Sequence, residues 1–148
     1  MFLDLLLGVG TMSLCLLMQT AILAVALRYY VRRASPGTRA STWSTILVIN
    51  GVMTLLVIGN LGQIAIWALL FMALREFDSF AAAAYHSAVN FATLGYGDVV
   101  MSERNKFLGP MEAINGMLMV GVSTAALMAA FQNAIKSTVA ARSSAGGR

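Results

Sequence analysis

Apolar residues fill three long stretches of the chain, at about 2–27, 46–74 and 111–135. None shows a polar face. The first holds one charge, Asp4, the second none, and the third only Glu112. A helix needs about 20 mostly apolar residues to cross a bilayer, so each stretch predicts a membrane span. Between the second and third the pattern changes. "FDSFAAAAYHSAVNFA" reads as a helix, with Asp78 or Ser79 as N-cap and a run of alanines behind it. It is too short to span and too apolar to lie free on a surface. Irregular, glycine-bearing backbone follows it. Such backbone survives at membrane depth only where it is buried in protein or lines water, so the segment predicts a re-entrant loop. The chain thus divides into an N-terminal span (1–30), a basic linker (31–44), a unit of two spans around the re-entrant loop (45–136), and a short polar tail (137–148) expected to be disordered.

Composition agrees with a membrane protein. Only 11% of residues are charged, against about 25% in soluble domains, and the mean hydropathy is +0.78. No basic residue precedes the first apolar run, so it is read as a retained helix rather than a cleaved signal. The net charge of +4 would suit a nucleic-acid partner, but its distribution argues against one. Arg28, Arg32, Arg33 and Arg39 follow the first span, and Lys136, Arg142 and Arg148 follow the last. Between them, Arg75, Arg104 and Lys106 are balanced by Glu76, Asp78, Asp98 and Glu103. By the positive-inside rule the N-terminus lies outside and the C-terminus in the cytoplasm, as expected of a multi-pass protein of the cell inner (plasma) membrane. The basic loop is also expected to attract anionic lipid. Cys15 is the only cysteine and His86 the only histidine, which excludes an intrachain disulfide and argues against a metal cluster. The arginines cluster in a loop rather than at every third position of a span, so no voltage-sensing helix is expected.

The irregular stretch is "TLGYGD", Thr93 to Asp98. Gly95 and Gly97 occupy alternate positions, and glycine tolerates positive φ without steric cost. Alternating unusual dihedrals aim successive carbonyls the same way. In these residues, and in the order outer helix, pore helix, filter, inner helix, the chain resembles the pore domain of the potassium channel superfamily over roughly residues 46–135. It is similar to the prokaryotic two-helix-pore type, with an additional N-terminal helix. A chance match to T-x-G-Y-G-D is on the order of one in ten thousand for a chain of this length.

The resemblance implies an all-α membrane protein: three transmembrane helices plus a re-entrant pore helix and filter loop, assembled as a tetrameric potassium-channel pore. Potassium would shed its water into rings of carbonyls from Thr93, Leu94, Gly95 and Tyr96, closed above by Gly97. The Thr93 hydroxyl would add an oxygen layer, and the Leu94 and Tyr96 side chains would pack back against the pore helix. Homotetramer, permeant K+, membrane lipid, no organic cofactor and no enzyme chemistry follow as expectations. A weakly selective cation channel and a non-conducting scaffold or accessory subunit with a pore-like fold stand as alternatives. The chain departs from the usual pattern at Ala92, Val89, Tyr85 and His86, and it lacks a proline after Asp98. Related channels often anchor the acid after the filter through an indole and a buried glutamate. Here Val89 takes the glutamate position and Tyr85 the indole position, so a Tyr85–Asp98 hydrogen bond is expected, with His86 as the competing donor.

His86 otherwise reads as a packing or hydrogen-bonding residue, with proton sensing as the sharper alternative. Pro110 and Glu112 fit the first and third positions of a helix, where the acid would complement the dipole. The alternative is an acid pairing behind the filter. Asn50, Asn60, Gln63 and Asn115 suit interhelical hydrogen bonds, and Gly51, Gly59 and Gly62 close helix approach. Met117, Gly121, Thr124, Met128 and Gln132 form a stripe that suits either a cavity wall or a packing face. Gly116 and Gly121 suit close packing, with Gly121 as a candidate hinge. Phe131 is a candidate constriction. Trp43, Trp67, Tyr29 and Tyr30 are read as interface anchors, and the first span is expected to pack peripherally on the outer helix.

Overall fold

The computed structural model describes residues 2–33 and 42–146. Most of the basic linker, with Arg39, lies outside the described residues, as does Arg148. Four helices follow in order: α1 (Phe2–Arg33), α2 (Thr42–Ala73), α3 (Phe80–Phe91) and α4 (Leu108–Gly146). Among the described residues there is no strand. Three segments are long and apolar enough to cross a membrane: Leu3–Arg33, Trp43–Ala73 and Leu108–Lys136. The remaining helix, α3, has 12 residues, about 18 Å of rise, well short of the roughly 30 Å hydrocarbon thickness.

α1 lies against both α2 and α4, and α3 fills the angle between α2 and α4. The expectation that α1 packs peripherally on the outer helix is therefore incomplete. Gly8 of α1 abuts Met111 of α4, and the polar residue Gln19 joins all three long helices. The buried Gln63 amide donates to Gln19 Oε1 at 2.8 Å, and Gln19 donates in turn to Ser123 Oγ of α4 at 3.1 Å. Asn115 Nδ2 donates to Gln63 Oε1 at 3.3 Å. Within a membrane, apolar burial does not drive helix association, and packing and hydrogen bonds must do so. Each such bond contributes roughly 0.6 kcal/mol, so this chain supplies on the order of 2 kcal/mol. Close packing adds to it: a side chain at Gly59 would run into Ile22 of α1.

The core beside α3 gathers Cys15, Trp67, Phe71, Ala83, Leu108 and Met111. Trp67 is fully buried against Phe71, with ring centroids 5.9 Å apart, and so is not an interface anchor. Tyr29 covers Gly51, and the Tyr30 hydroxyl reaches Ala130 O at 3.4 Å. Both tyrosines pack between helices. Trp43 alone keeps the exposure of an anchor, at 74%.

Two helix boundaries differ from expectation. α4 starts at Leu108, so Pro110 is its third residue and Glu112 its fifth. Pro110 still lies in the first turn, where a missing N–H costs nothing, but Glu112 faces protein rather than the exposed helix end. At the other end the backbone stays helical to Gly146 instead of giving way to a disordered tail. Ala140, Ala141 and Arg142 are strong helix formers and carry the helix on.

Candidate functional site

The segment between α2 and α4 is held at each turn by hydrogen bonds. α2 ends in a Schellman motif: Glu76 N–H reaches Phe71 O and Arg75 N–H reaches Met72 O, both at 3.0 Å, with Arg75 at φ 59°. The chain turns and Ser79 caps α3, its hydroxyl accepting from Ala82 N at 3.2 Å. The carboxylate of Glu76 then accepts from Ser102 N and Ser102 Oγ at 2.7 Å each and from Asn105 Nδ2 at 2.5 Å. Desolvation works against the charged form of Glu76. The Ser102 and Asn105 bonds and the nearby Arg104 charge outweigh it and hold the carboxyl below its usual range. This clasp ties the segment entering α4 to the end of α2.

α3 closes with a second Schellman motif. Leu94 N–H reaches Val89 O at 2.9 Å and Thr93 N–H reaches Asn90 O at 2.8 Å. Thr93 occupies the slot that glycine usually takes, with φ 58°. A β-branched residue there is a genuine outlier that the surrounding structure must hold. Gly95 at φ 57° and Gly97 at φ 73° continue the pattern. Thus three alternate residues, Thr93, Gly95 and Gly97, share the left-handed conformation. The glycine spacing signalled two of them. The third was missed, although its place two residues earlier was a signal.

The end of this irregular segment is pinned back to α3 at two points. The Tyr85 hydroxyl donates to Asp98 Oδ2 at 2.6 Å. That bond holds the Asp98 carboxyl below the usual carboxylate range and the Tyr85 phenol above its own. His86 Nδ1 lies 2.8 Å from Val99 O, and Nε2 lies 2.8 Å from Asn90 Nδ2. A carbonyl only accepts, so Nδ1 carries a proton and donates it to Val99. Phe71 and Phe77 flank the imidazole, with centroids 5.5 and 5.0 Å away. His86 is therefore a second tether, on Val99, rather than a competitor for Asp98. Val89 is buried in α3 and makes no polar contact with the acid.

Leu94 and Tyr96, on either side of the left-handed Gly95, are 56% and 66% exposed in the single chain. On α4, Met117, Gly121, Thr124, Met128, Phe131 and Gln132 are also exposed, while Met119, Ala130 and Ala134 turn inward. The stripe is thus no packing face within the chain. The two helix glycines separate in kind. A side chain at Gly116 would overlap the backbone carbonyl of Phe91, whereas one at Gly121 meets nothing within 4 Å.

Behind α3 lies Glu112, fully buried, with the Ser87 hydroxyl against its Oε1. The structure therefore places this acid against α3 rather than at a helix end. Among the described residues, no cluster of His, Cys, Asp and Glu suits a resident metal.

Residues 54–133 match the model of a protein family described as "Ion channel". The match begins within α2, takes in α3 and the irregular segment after it, and ends within α4, leaving α1 outside. The searches of curated proteins and of solved structures returned no match.

Proposed function

The chain belongs to this ion channel family, and from that premise we propose that it is a passive, potassium-selective channel whose pore is completed by four copies. The observation that carries this reading is the left-handed alternation of Thr93, Gly95 and Gly97 within TLGYGD. Alternating handedness turns successive carbonyls to one side, and four such segments about an axis make stacked oxygen rings. Potassium enters by exchanging water for the carbonyls of Thr93, Leu94, Gly95 and Tyr96. Below them the Thr93 hydroxyl adds a further oxygen. A glycine at 93 would relieve the backbone but remove that oxygen, so the strain is retained for the site.

One copy supplies one side of each ring, and several features fit neighbours on the open side. The outward Leu94 and Tyr96 side chains offer packing to an adjacent pore helix. The exposed stripe of Met117, Gly121, Thr124, Met128 and Gln132 fits a cavity wall, with Phe131 toward its inner end. The C-terminal ends of four α3 helices would place their partial negative charge toward a cation below the filter. Four Asp98 carboxylates would enrich cations at the outer mouth. The chain is a multi-pass membrane protein by its three apolar helices and its family. The charge distribution orients it with the filter outward and Lys136 in the cytoplasm.

Potassium flux from proteoliposomes of the purified protein, with a sodium gradient as control and barium as blocker, is the direct test. Barium-sensitive potassium flux well above sodium flux is expected. Equal fluxes would indicate a weakly selective channel, and tetramers without flux a scaffold. A cysteine at Ser102 in a Cys15→Ser background should react with an impermeant thiol reagent applied from the outside, and a reaction only from the inside would reverse the orientation.

The outer tether gives a second expectation. Tyr85→Phe should leave folding and assembly intact but make conduction run down faster during sustained flux, because Asp98 loses its anchor while Val99 keeps His86. The tether is complete between the two titrations. It weakens as pH falls through the lowered Asp98 value, where the carboxylate protonates. It also fails as pH rises through the raised Tyr85 value, where the donor is lost. A Tyr85→Phe protein with unaltered run-down would leave Asp98 as a solvated mouth charge only.

A further inference from the structure

We propose that Glu112 is a positioning residue for the filter that carries its own proton and donates it to Ser87, so that a two-proton relay locks the pore helix to both neighbouring helices. This inference rests on the channel reading above. Its basis is the number of protons available at Ser87. The Ser87 hydroxyl is fully buried and lies between two oxygens, Ile64 O of α2 at 2.8 Å and Glu112 Oε1 of α4. A hydroxyl has one proton, and a carbonyl and an ionised carboxylate have none to give. With Glu112 ionised, Ser87 can serve only one neighbour, and the other pair becomes two oxygens in contact with no proton between them. With Glu112 neutral, its O–H donates to Ser87 Oγ and the Ser87 O–H donates to Ile64 O. Both contacts are then hydrogen bonds.

A second observation points the same way. Glu112 Oε2 is buried with no hydrogen-bond partner. A bare oxygen on a buried carboxylate leaves charge unsolvated and is far costlier than the bare carbonyl oxygen of a neutral acid. No basic side chain pairs with Glu112 among the described residues; the salt bridge present there, Lys106 with Glu103, is elsewhere. The groups that act on it are the Cys15 thiol from α1 and, besides Ser87, the neutral Asn90 amide of α3, which links on to His86. None supplies a positive charge that would hold the carboxylate form.

The relay joins α2, α3 and α4 at the middle of the pore helix, just ahead of the residues that form the filter. Losing the Glu112 proton would force Ser87 to turn its own proton toward the acid and release Ile64. The pore helix would then be held on one side only. A chain that kept the contacts but needed no titratable proton would escape this, and glutamine at 112 is such a residue. Its amide N–H can donate to Ser87 Oγ at every pH.

The test uses the full-length protein in lipid vesicles, in a Cys15→Ser background so that the thiol does not titrate. At neutral pH the infrared spectrum should contain the carbonyl stretch of a protonated carboxylic acid that Glu112→Gln removes. In flux, Glu112→Gln should keep potassium-over-sodium selectivity and Glu112→Leu should lose it. The parent protein should lose selectivity on alkaline titration while Glu112→Gln stays level. Absence of the infrared band, a Glu112→Gln protein as impaired as Glu112→Leu, or an equal alkaline decline in parent and Glu112→Gln would each overturn the proposal. If the band is present and no flux occurs, the channel reading fails while the proton assignment stands. Flux without the band sinks the relay alone.

Discussion

Alanine at Gly95 or Gly97 is expected to abolish selective potassium flux while leaving the helices folded. The two glycines sit at φ 57° and 73°, and neither would bring a new Cβ within 4 Å of another residue in its own chain. The penalty is therefore one of backbone conformation. An L-residue forced into the left-handed region costs about 1–2 kcal/mol, or on the order of 4–8 kcal/mol around a ring of four. That exceeds what a marginal loop can absorb, so the segment relaxes to negative φ and its carbonyl swings off the axis. Sodium and potassium flux in vesicles reads the effect. Gly10→Ala is the control, because Gly10 also has open space around it but lies in an ordinary helix where alanine is favoured. If either filter variant passes potassium with its selectivity intact, the carbonyl-ring reading must be given up.

The parts of this fold legible in the sequence were those set by local chemistry. The three apolar runs predicted three long helices, and of the two candidate caps of α3, Asp78 and Ser79, the structure has Ser79. The Tyr85–Asp98 hydrogen bond was expected from the family resemblance, which puts Tyr85 at the position of an indole donor, and it is present. Facing directions were much less legible. In a soluble helix a polar stripe marks the outer face. In α2 and α4 the lipid-facing and protein-facing sides are both apolar, so nothing in the pattern distinguished a buried Trp67 from an interfacial one. The same gap hid the contact of α1 with α4, where Gln19 and Tyr30 reach Ser123 and Ala130 and Gly8 abuts Met111. Thr93 was missed for another reason. Its left-handed backbone violates the local preference of a β-branched residue, and only the helix end that it terminates holds it there. Leu94 and Tyr96 were expected to pack against the pore helix, and within one chain both side chains are exposed. The role of Glu112 was open between a helix-end charge and a buried partner, and its position depended on a helix start at Leu108 that the glycine and proline beside it obscured.

Gly116→Ala is expected to be the most damaging single methyl that can be added to the inner helix. Gly116 lies where α4 passes the last residue of the pore helix, and a Cβ there would overlap the Phe91 carbonyl oxygen and crowd its carbon and Cα. All three atoms belong to backbone, so no side-chain rotation relieves the clash. Either α4 shifts outward or the end of α3 moves, and the end of α3 carries the Schellman turn that sets Thr93. Overpacking of this kind typically costs about 1–3 kcal/mol, incurred here in every subunit and directed at the base of the filter. The variant should therefore melt at lower temperature, assemble poorly and, where it assembles, discriminate poorly between potassium and sodium. Gly121→Ala separates packing from flexibility. The open space at Gly121 predicts near-normal stability, so any change in its flux would report a need for bending at that point rather than a clash. Normal melting and normal selectivity in Gly116→Ala would mean that α4 does not approach the pore helix as closely as the Phe91 contact requires.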